Sequence, residues 1–155
     1  MKDVDQWLEE YGESHRNAAN KKLHWICVPI IVVSLTGLLW CIPVPRSLRG
    51  LSPYLNWGTV LLLIGVVYYI ALSPRLAVGM AAFVALIMLA IRALQQLSMP
   101  LWQSCLLLFV LAWIGQFVGH HIEGRRPSFF KDVQFLMIGP LWLLSFVYRK
   151  LRIPF

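Results

Sequence analysis

The length of its apolar runs constrains this chain more than any other feature. A helix needs about 20 mostly apolar residues to cross the hydrocarbon core of a bilayer, with about 17 as a working minimum. Four stretches approach or meet that length: Leu23 to Ile42, Tyr54 to Leu72, Leu76 to Leu97 and Pro100 to Val118. The prolines of "IPVPRS" close the first, since proline lacks an amide donor and restricts the residue before it. "SPR", at Ser73 to Arg75, makes a tight turn between the second and third. Of the 155 residues, 59% are hydrophobic and 14% charged, where a soluble domain carries about a quarter charged. A soluble core of this size cannot hide that surplus.

A fifth run, "VQFLMIGPLWLLSFVY" at Val133 to Tyr148, is shorter and holds Gly139 and Pro140 at its centre. That pair is expected to interrupt the helix, leaving a re-entrant or interfacial segment. If the run crossed, the basic "RKLR" would land opposite the N-terminus and weaken the positive-inside asymmetry. The expected fold is therefore all-α, an integral membrane helical bundle of four spanning helices plus a short fifth re-entrant or interfacial segment. It is read as one membrane-embedded domain over 1–155. Residues 1–22 form a polar N-terminal helix or arm, 23–148 the bundle and 149–155 a basic tail.

The net charge of +7 comes from short basic clusters between apolar runs, such as Lys21 with Lys22 and Arg125 with Arg126. Anionic headgroups and the positive-inside bias select that distribution. Nucleic-acid binding would need one continuous basic face on a polar domain, and none exists. Cys27, Cys41 and Cys105 lie in or at the edge of apolar runs without CxxC spacing, so they read as small buried hydrophobes. "MKDVDQWLEEYGE" is polar and acidic, unlike a cleaved leader, and the first apolar run is expected to stay in the protein.

All four histidines sit where an apolar run meets a polar stretch: His15 and His24 before or at the opening of the first run, His120 and His121 at the close of the fourth. An even number of crossings returns the chain to its starting face, so both pairs are expected at one surface. At about 100° per residue, His24, Asn20 and Asn17 share one helix face. His15 would point nearly the opposite way unless the chain breaks, and a break is expected near "HRNAAN" because asparagine competes for local backbone bonds. Gln116, His120 and Glu123 likewise share a face, with His121 turned about 100° away. Polar groups at membrane depth are costly and mark function. Imidazole is a common ligand for zinc, copper, iron and nickel, and its second nitrogen needs a partner to fix the tautomer. Four histidines are too few for a two-iron centre built mainly from imidazole. One ion with three or four imidazole ligands remains, its charge suited to an anionic chelating substrate such as a 2-hydroxy acid. Zinc-assisted hydrolysis stays chemically open.

"HRNAANKKLHWICVP" and "WIGQFVGHHIEGRRPSFFKD" resemble the two signature regions of the Mpo-like 2-hydroxy fatty acid dioxygenases, small membrane proteins that shorten 2-hydroxy fatty acids by one carbon. The first region's H-x-N-x-x-N-x-x-x-H pattern falls on His15, Asn17, Asn20 and His24, with Pro29 following. The second falls on Trp113, Ile114, Gln116, Phe117, Gly119 and His120, and then on Arg125, Arg126 and Pro127. The resemblance implies Fe(II) and molecular oxygen with no organic cofactor, and cleavage between C1 and C2 of the acid. It implies iron held by His15, His24 and His120, with His121 as a candidate fourth ligand. Arg126, or Arg125 or Lys22, would orient the carboxylate, while Asn17, Asn20 and Gln116 support the ligands. Expected partners are the 2-hydroxy fatty acid and membrane lipids, at the inner membrane of a bacterium or the endoplasmic reticulum of a eukaryote. The alternatives are a non-enzymatic lipid-binding or carrier protein and a zinc-dependent membrane hydrolase.

The shared face is directly testable. Cysteines introduced at Glu13 and Ser128 should both react with an impermeant thiol reagent from the same side of sealed vesicles, and labelling from opposite sides would separate the two motifs for good.

Overall fold

Apolar helices in lipid satisfy their own backbone bonds, and the computed structural model is helical throughout, with no strand among the described residues 3–50, 52, 54–124 and 133–155. The helices are α1 (Val4–Glu13), α2 (Ala18–Trp40), α3 (Arg46–Arg49), α4 (Trp57–Leu72), α5 (Pro74–Gln95), α6 (Leu101–Glu123) and α7 (Val133–Lys150). Three of them, α2, α5 and α6, are long and apolar enough to cross a membrane. Their outward faces carry exposed Leu86, Leu107, Leu111 and Ile114, a display that lipid covers and water does not tolerate. Helix α4 has 16 residues and rises about 24 Å, short of a hydrocarbon core of about 30 Å. The expected fourfold crossing is thus met in length by three helices.

The helix ends follow local chemistry. Asp3 and Gln6 form a reciprocal capping box at α1, and Asn56 with Thr59 does the same at α4. Ser73 caps α5 and Pro74 occupies its first turn, where a missing amide donor costs nothing; the "SPR" turn forms as the sequence suggests. Helix α2 ends at Trp40, just before Ile42 and Pro43.

The fifth apolar run departs from one of its two expected forms, the re-entrant hairpin. Helix α7 continues from Val133 to Lys150 with Pro140 inside it, so the Gly139-Pro140 pair makes no re-entrant hairpin. Proline removes one helical donor. Nearby, the Tyr69 hydroxyl donates to the Met137 carbonyl at 2.8 Å, which ties this part of α7 to α4. Burial of Ile138, Leu141, Trp142 and Leu143 holds this turn in the core. Helix α1 lies against α7 through Leu8, which clusters with Val28 of α2 and with Trp142 and Leu143.

Helices α2 and α6 pack most extensively, and they run antiparallel. Gly37, near the end of α2, faces Cys105 near the start of α6, whereas Asn20 at the start of α2 faces Gly119 near the end of α6. Between them, a Cβ added at Gly115 would stand 2.6 Å from the Cys27 sulfur. Lipid tails are as apolar as leucine, so helices in a bilayer associate through such close contacts of small residues. This register brings His24 of α2 beside His120 of α6.

Gly119→Ala should therefore wedge a methyl group against the Asn20 amide oxygen and part the helices at the histidine end. A loss of about 1–3 kcal/mol is expected, the usual cost of overpacking, read as a lower melting temperature in detergent. Gly50→Ala, where the nearest atom to an added Cβ is 3.7 Å away, should stay near wild type. Equal melting of both variants would show that the close approach is not required.

Candidate metal centre

The site starts at an interruption between helices. Helix α1 stops at Glu13, and Asn17 caps α2 by accepting the Ala19 amide hydrogen at 2.8 Å. The intervening turn swings His15 back to the face that carries His24, which an unbroken helix could not do. His120 arrives from the last turn of α6. All three imidazoles are at least 95% buried, with His15 at 4%, His24 at 1% and His120 at 5% exposure. Their ligand atoms lie within 4.8 Å of one another.

Tautomers follow from the hydrogen bonds. The His15 Nδ1 sits 2.6 Å from the Tyr11 carbonyl oxygen, and the His24 Nδ1 is 3.0 Å from the Asn20 carbonyl oxygen. A carbonyl only accepts, so both Nδ1 atoms carry the proton and donate. Each Nε2 then presents a lone pair, and the two Nε2 atoms face one another at 2.8 Å. Two lone pairs at that distance repel unless a proton or a cation lies between them. Protonation is opposed at His15, where burial first and the neighbouring His120 next push the imidazole down to about 4 from its ordinary 6.5, against the raising effect of the Tyr11 carbonyl. A metal ion resolves the conflict. His15, His24 and His120 would hold such an ion through their ring nitrogens. The donor set thus fits one transition-metal ion bound by neutral imidazoles.

The surroundings hold this geometry. The Tyr11 ring stacks on His15 with centroids 4.3 Å apart and planes 11° from parallel, and Trp142 approaches the same ring at 5.3 Å. Glu123, one turn beyond His120, accepts the backbone amides of Arg16 at 2.8 Å and Asn17 at 2.9 Å. It also accepts the Asn20 side-chain amide at 3.1 Å. One carboxylate on α6 therefore clamps the turn that carries His15 to the helix that carries His120.

The profile of the Mpo1-like family, described as 2-hydroxy-palmitic acid dioxygenase Mpo1-like, matches residues 1–151. The chain belongs to the Mpo1-like family. It is 29% identical over 144 residues to the 2-hydroxy-palmitic acid dioxygenase MPO1 of Saccharomyces cerevisiae, covering 92% of this chain and 78% of that relative. No solved structure matches it.

The two histidine-bearing stretches of the sequence meet in space here, with different parts for their residues. Asn17 is exposed and serves as the cap of α2, and Asn20 is fully buried between Glu123 and Gly119. Gln116 is buried on α6 one turn before His120. His121 is exposed and lies outside the converging group, as the next residue on a helix is turned about 100° away. Lys22 is exposed. Arg125, Arg126 and Pro127 fall outside the described residues. Sequence reasoning missed Tyr11 and Trp142, and it noted Glu123 only as polar company for His120. Glu123's i+3 spacing from His120 was the available signal; nothing local marks Tyr11.

Glu123→Ala should release the turn bearing His15 and weaken metal binding 10- to 100-fold, the usual effect of removing support behind a ligand. Titration of divalent metal into the metal-free protein checks this, and unchanged affinity would show the clamp to be dispensable.

Proposed function

We propose that the protein is an Fe(II)-dependent dioxygenase that cleaves a 2-hydroxy fatty acid between C1 and C2, leaving a fatty acid one carbon shorter. The observation that carries this reading is the converging cluster of His15, His24 and His120, the first two fixed in one tautomer, in a chain of this family. The name of the yeast relative supports the substrate class. Iron held there would supply the redox partner that dioxygen needs to react with a closed-shell acid. A 2-hydroxy acid and O2 balance as the shorter acid, carbon dioxide and water, so no organic cofactor or outside reductant is required.

The residues of the chain do the rest. His15 and His24 keep neutral nitrogens aimed at one point because Tyr11 and Asn20 carbonyls hold their protons. Burial by Tyr11 and Trp142 excludes bulk water from that point, protecting a reactive centre from side reactions. On α2, Ile31 and Leu35 fall on nearly the same face as His24, the nearer about 10 Å along the helix. They line an apolar cavity with Leu62, Met80, Phe83 and Ile87, an environment suited to an acyl chain.

Purified protein should bind close to one iron per chain. His15→Ala, His24→Ala and His120→Ala should each abolish both tight iron binding and turnover without preventing membrane insertion, whereas His121→Ala should retain both. A 2-hydroxy acid offers a carboxylate and an adjacent hydroxyl for a five-membered chelate; palmitate lacks the hydroxyl, and 3-hydroxypalmitate enlarges the ring. Oxygen uptake and mass spectrometry should therefore report a one-carbon-shorter product from 2-hydroxypalmitate and far less from the other two. Equal turnover of all three, or stoichiometric zinc in place of iron, overturns the proposal.

A further inference from the structure

The three imidazoles are buried, so an amphiphilic acid needs an opening that reaches them. A cleft of about 470 Å³ between α1, the following turn, the first turn of α2 and the end of α7 has His15 in its wall. Its charged groups are distributed unevenly. Asp5 and Glu9 both belong to α1, while Arg16 comes from the turn, Lys21 from α2 and Arg149 from α7. Cations outnumber carboxylates, and the walls away from α1 carry positive charge alone. An anion entering here is drawn toward His15 and away from α1, over an apolar wall of Leu8, Trp142 and Phe146.

The three cations are not equivalent. Arg16 is exposed, and the Arg149 guanidinium stands over the Phe155 ring at 5.8 Å from its centroid. Lys21 is half-buried and makes no ion pair or hydrogen bond through its side chain among the described residues. It lies three residues before His24 on the same helix and lines the cleft together with His15. A lysine head is a compact charge on a flexible stem, able to follow a carboxylate whose neighbouring atoms are fixed elsewhere.

We infer that this cleft admits the head of the acid and that the Lys21 ammonium holds its carboxylate, making Lys21 a positioning residue beside the imidazole cluster. The inference rests on the reading of the substrate as a 2-hydroxy fatty acid. It assigns carboxylate recognition to the first turn of α2, apart from the arginine pair that follows α6. It also orients the substrate, with its head toward the cleft and its chain toward the apolar helices.

The test compares Lys21→Gln and Lys21→Arg with wild type, using 2-hydroxypalmitate and its methyl ester. Lys150→Gln, an exposed cation in the last turn of α7, serves as the surface-charge control. Removing a charge-assisted contact should raise KM for the acid about tenfold or more, with a smaller change in kcat. Binding of the ester to metal-free protein should not move, Lys21→Arg should recover most of the loss of acid KM, and iron content should match wild type. Equilibrium dialysis of labelled 2-hydroxypalmitate against metal-free protein gives a reading independent of turnover, and Lys21→Gln should weaken that binding by a similar factor. An unchanged acid KM, or equal losses for acid and ester, overturns the inference and leaves Lys21 a surface cation. If wild type does not turn over the acid, the dioxygenase reading fails; loss of acid binding in Lys21→Gln would then still support the carboxylate subsite.

Discussion

The close antiparallel approach of α2 and α6 is the constraint from which the site follows. Three points of small or compact contact define it: Gly37 with Cys105, Cys27 with Gly115, and Asn20 with Gly119. Hydrophobicity does not drive apolar helices together in lipid, so the register must come from shape and from the few polar groups available. The Asn20 and Glu123 side chains supply the polar lock at one end, at the level where His24 and His120 meet. A shift of one turn along either helix would move an imidazole by about 5.4 Å, more than the whole spread of the three ligand atoms.

The same lock organises the chain before α2. Glu123 accepts two backbone amides from the turn between α1 and α2, groups that would otherwise lie unpaired ahead of the Asn17 cap. Satisfying them fixes where α2 begins, and the break before it lets His15 face His24. The outcome is a buried cluster of imidazoles. Such a cluster leaves the charge of a divalent ion uncompensated, so an anionic ligand completes it electrostatically. The basic walls of the neighbouring cleft are consistent with that need: a carboxylate between Lys21 and a metal ion would screen two positive charges that otherwise repel.

Helix α7 shows how a local sequence signal yields to packing. Gly139 and Pro140 weaken a helix on their own, but here neighbours stabilise the weak turn. Tyr69 donates to the Met137 carbonyl, the side chains around Pro140 are buried, and an added Cβ at Gly139 would stand 3.1 Å from the Tyr11 hydroxyl. Because α7 stays helical, Trp142 and Phe146 share its cleft-facing side with Ser145 and Arg149, and α1 gains a surface to pack on.

What the sequence determined by itself was the chemistry and its topological neighbourhood. Run lengths dictate helices, because a backbone in lipid has no water to bond. The Asn-rich stretch after His15 dictates a helix break, and the spacing of Gln116, His120 and Glu123 dictates a shared face. The paired motifs also made the family legible. Tertiary structure alone decided which imidazoles converge and what supports them. His121 belongs to the same motif as His120, yet one helical step turns it outward once α6 commits its other face to α2. Tyr11 and Trp142 reach His15 only because α1 folds against α7, and Lys21 differs from Lys22 only because the cleft lies on its side of α2. Periodicity reveals which residues share a face; the distances that join one face to another arise from packing between segments far apart in the chain.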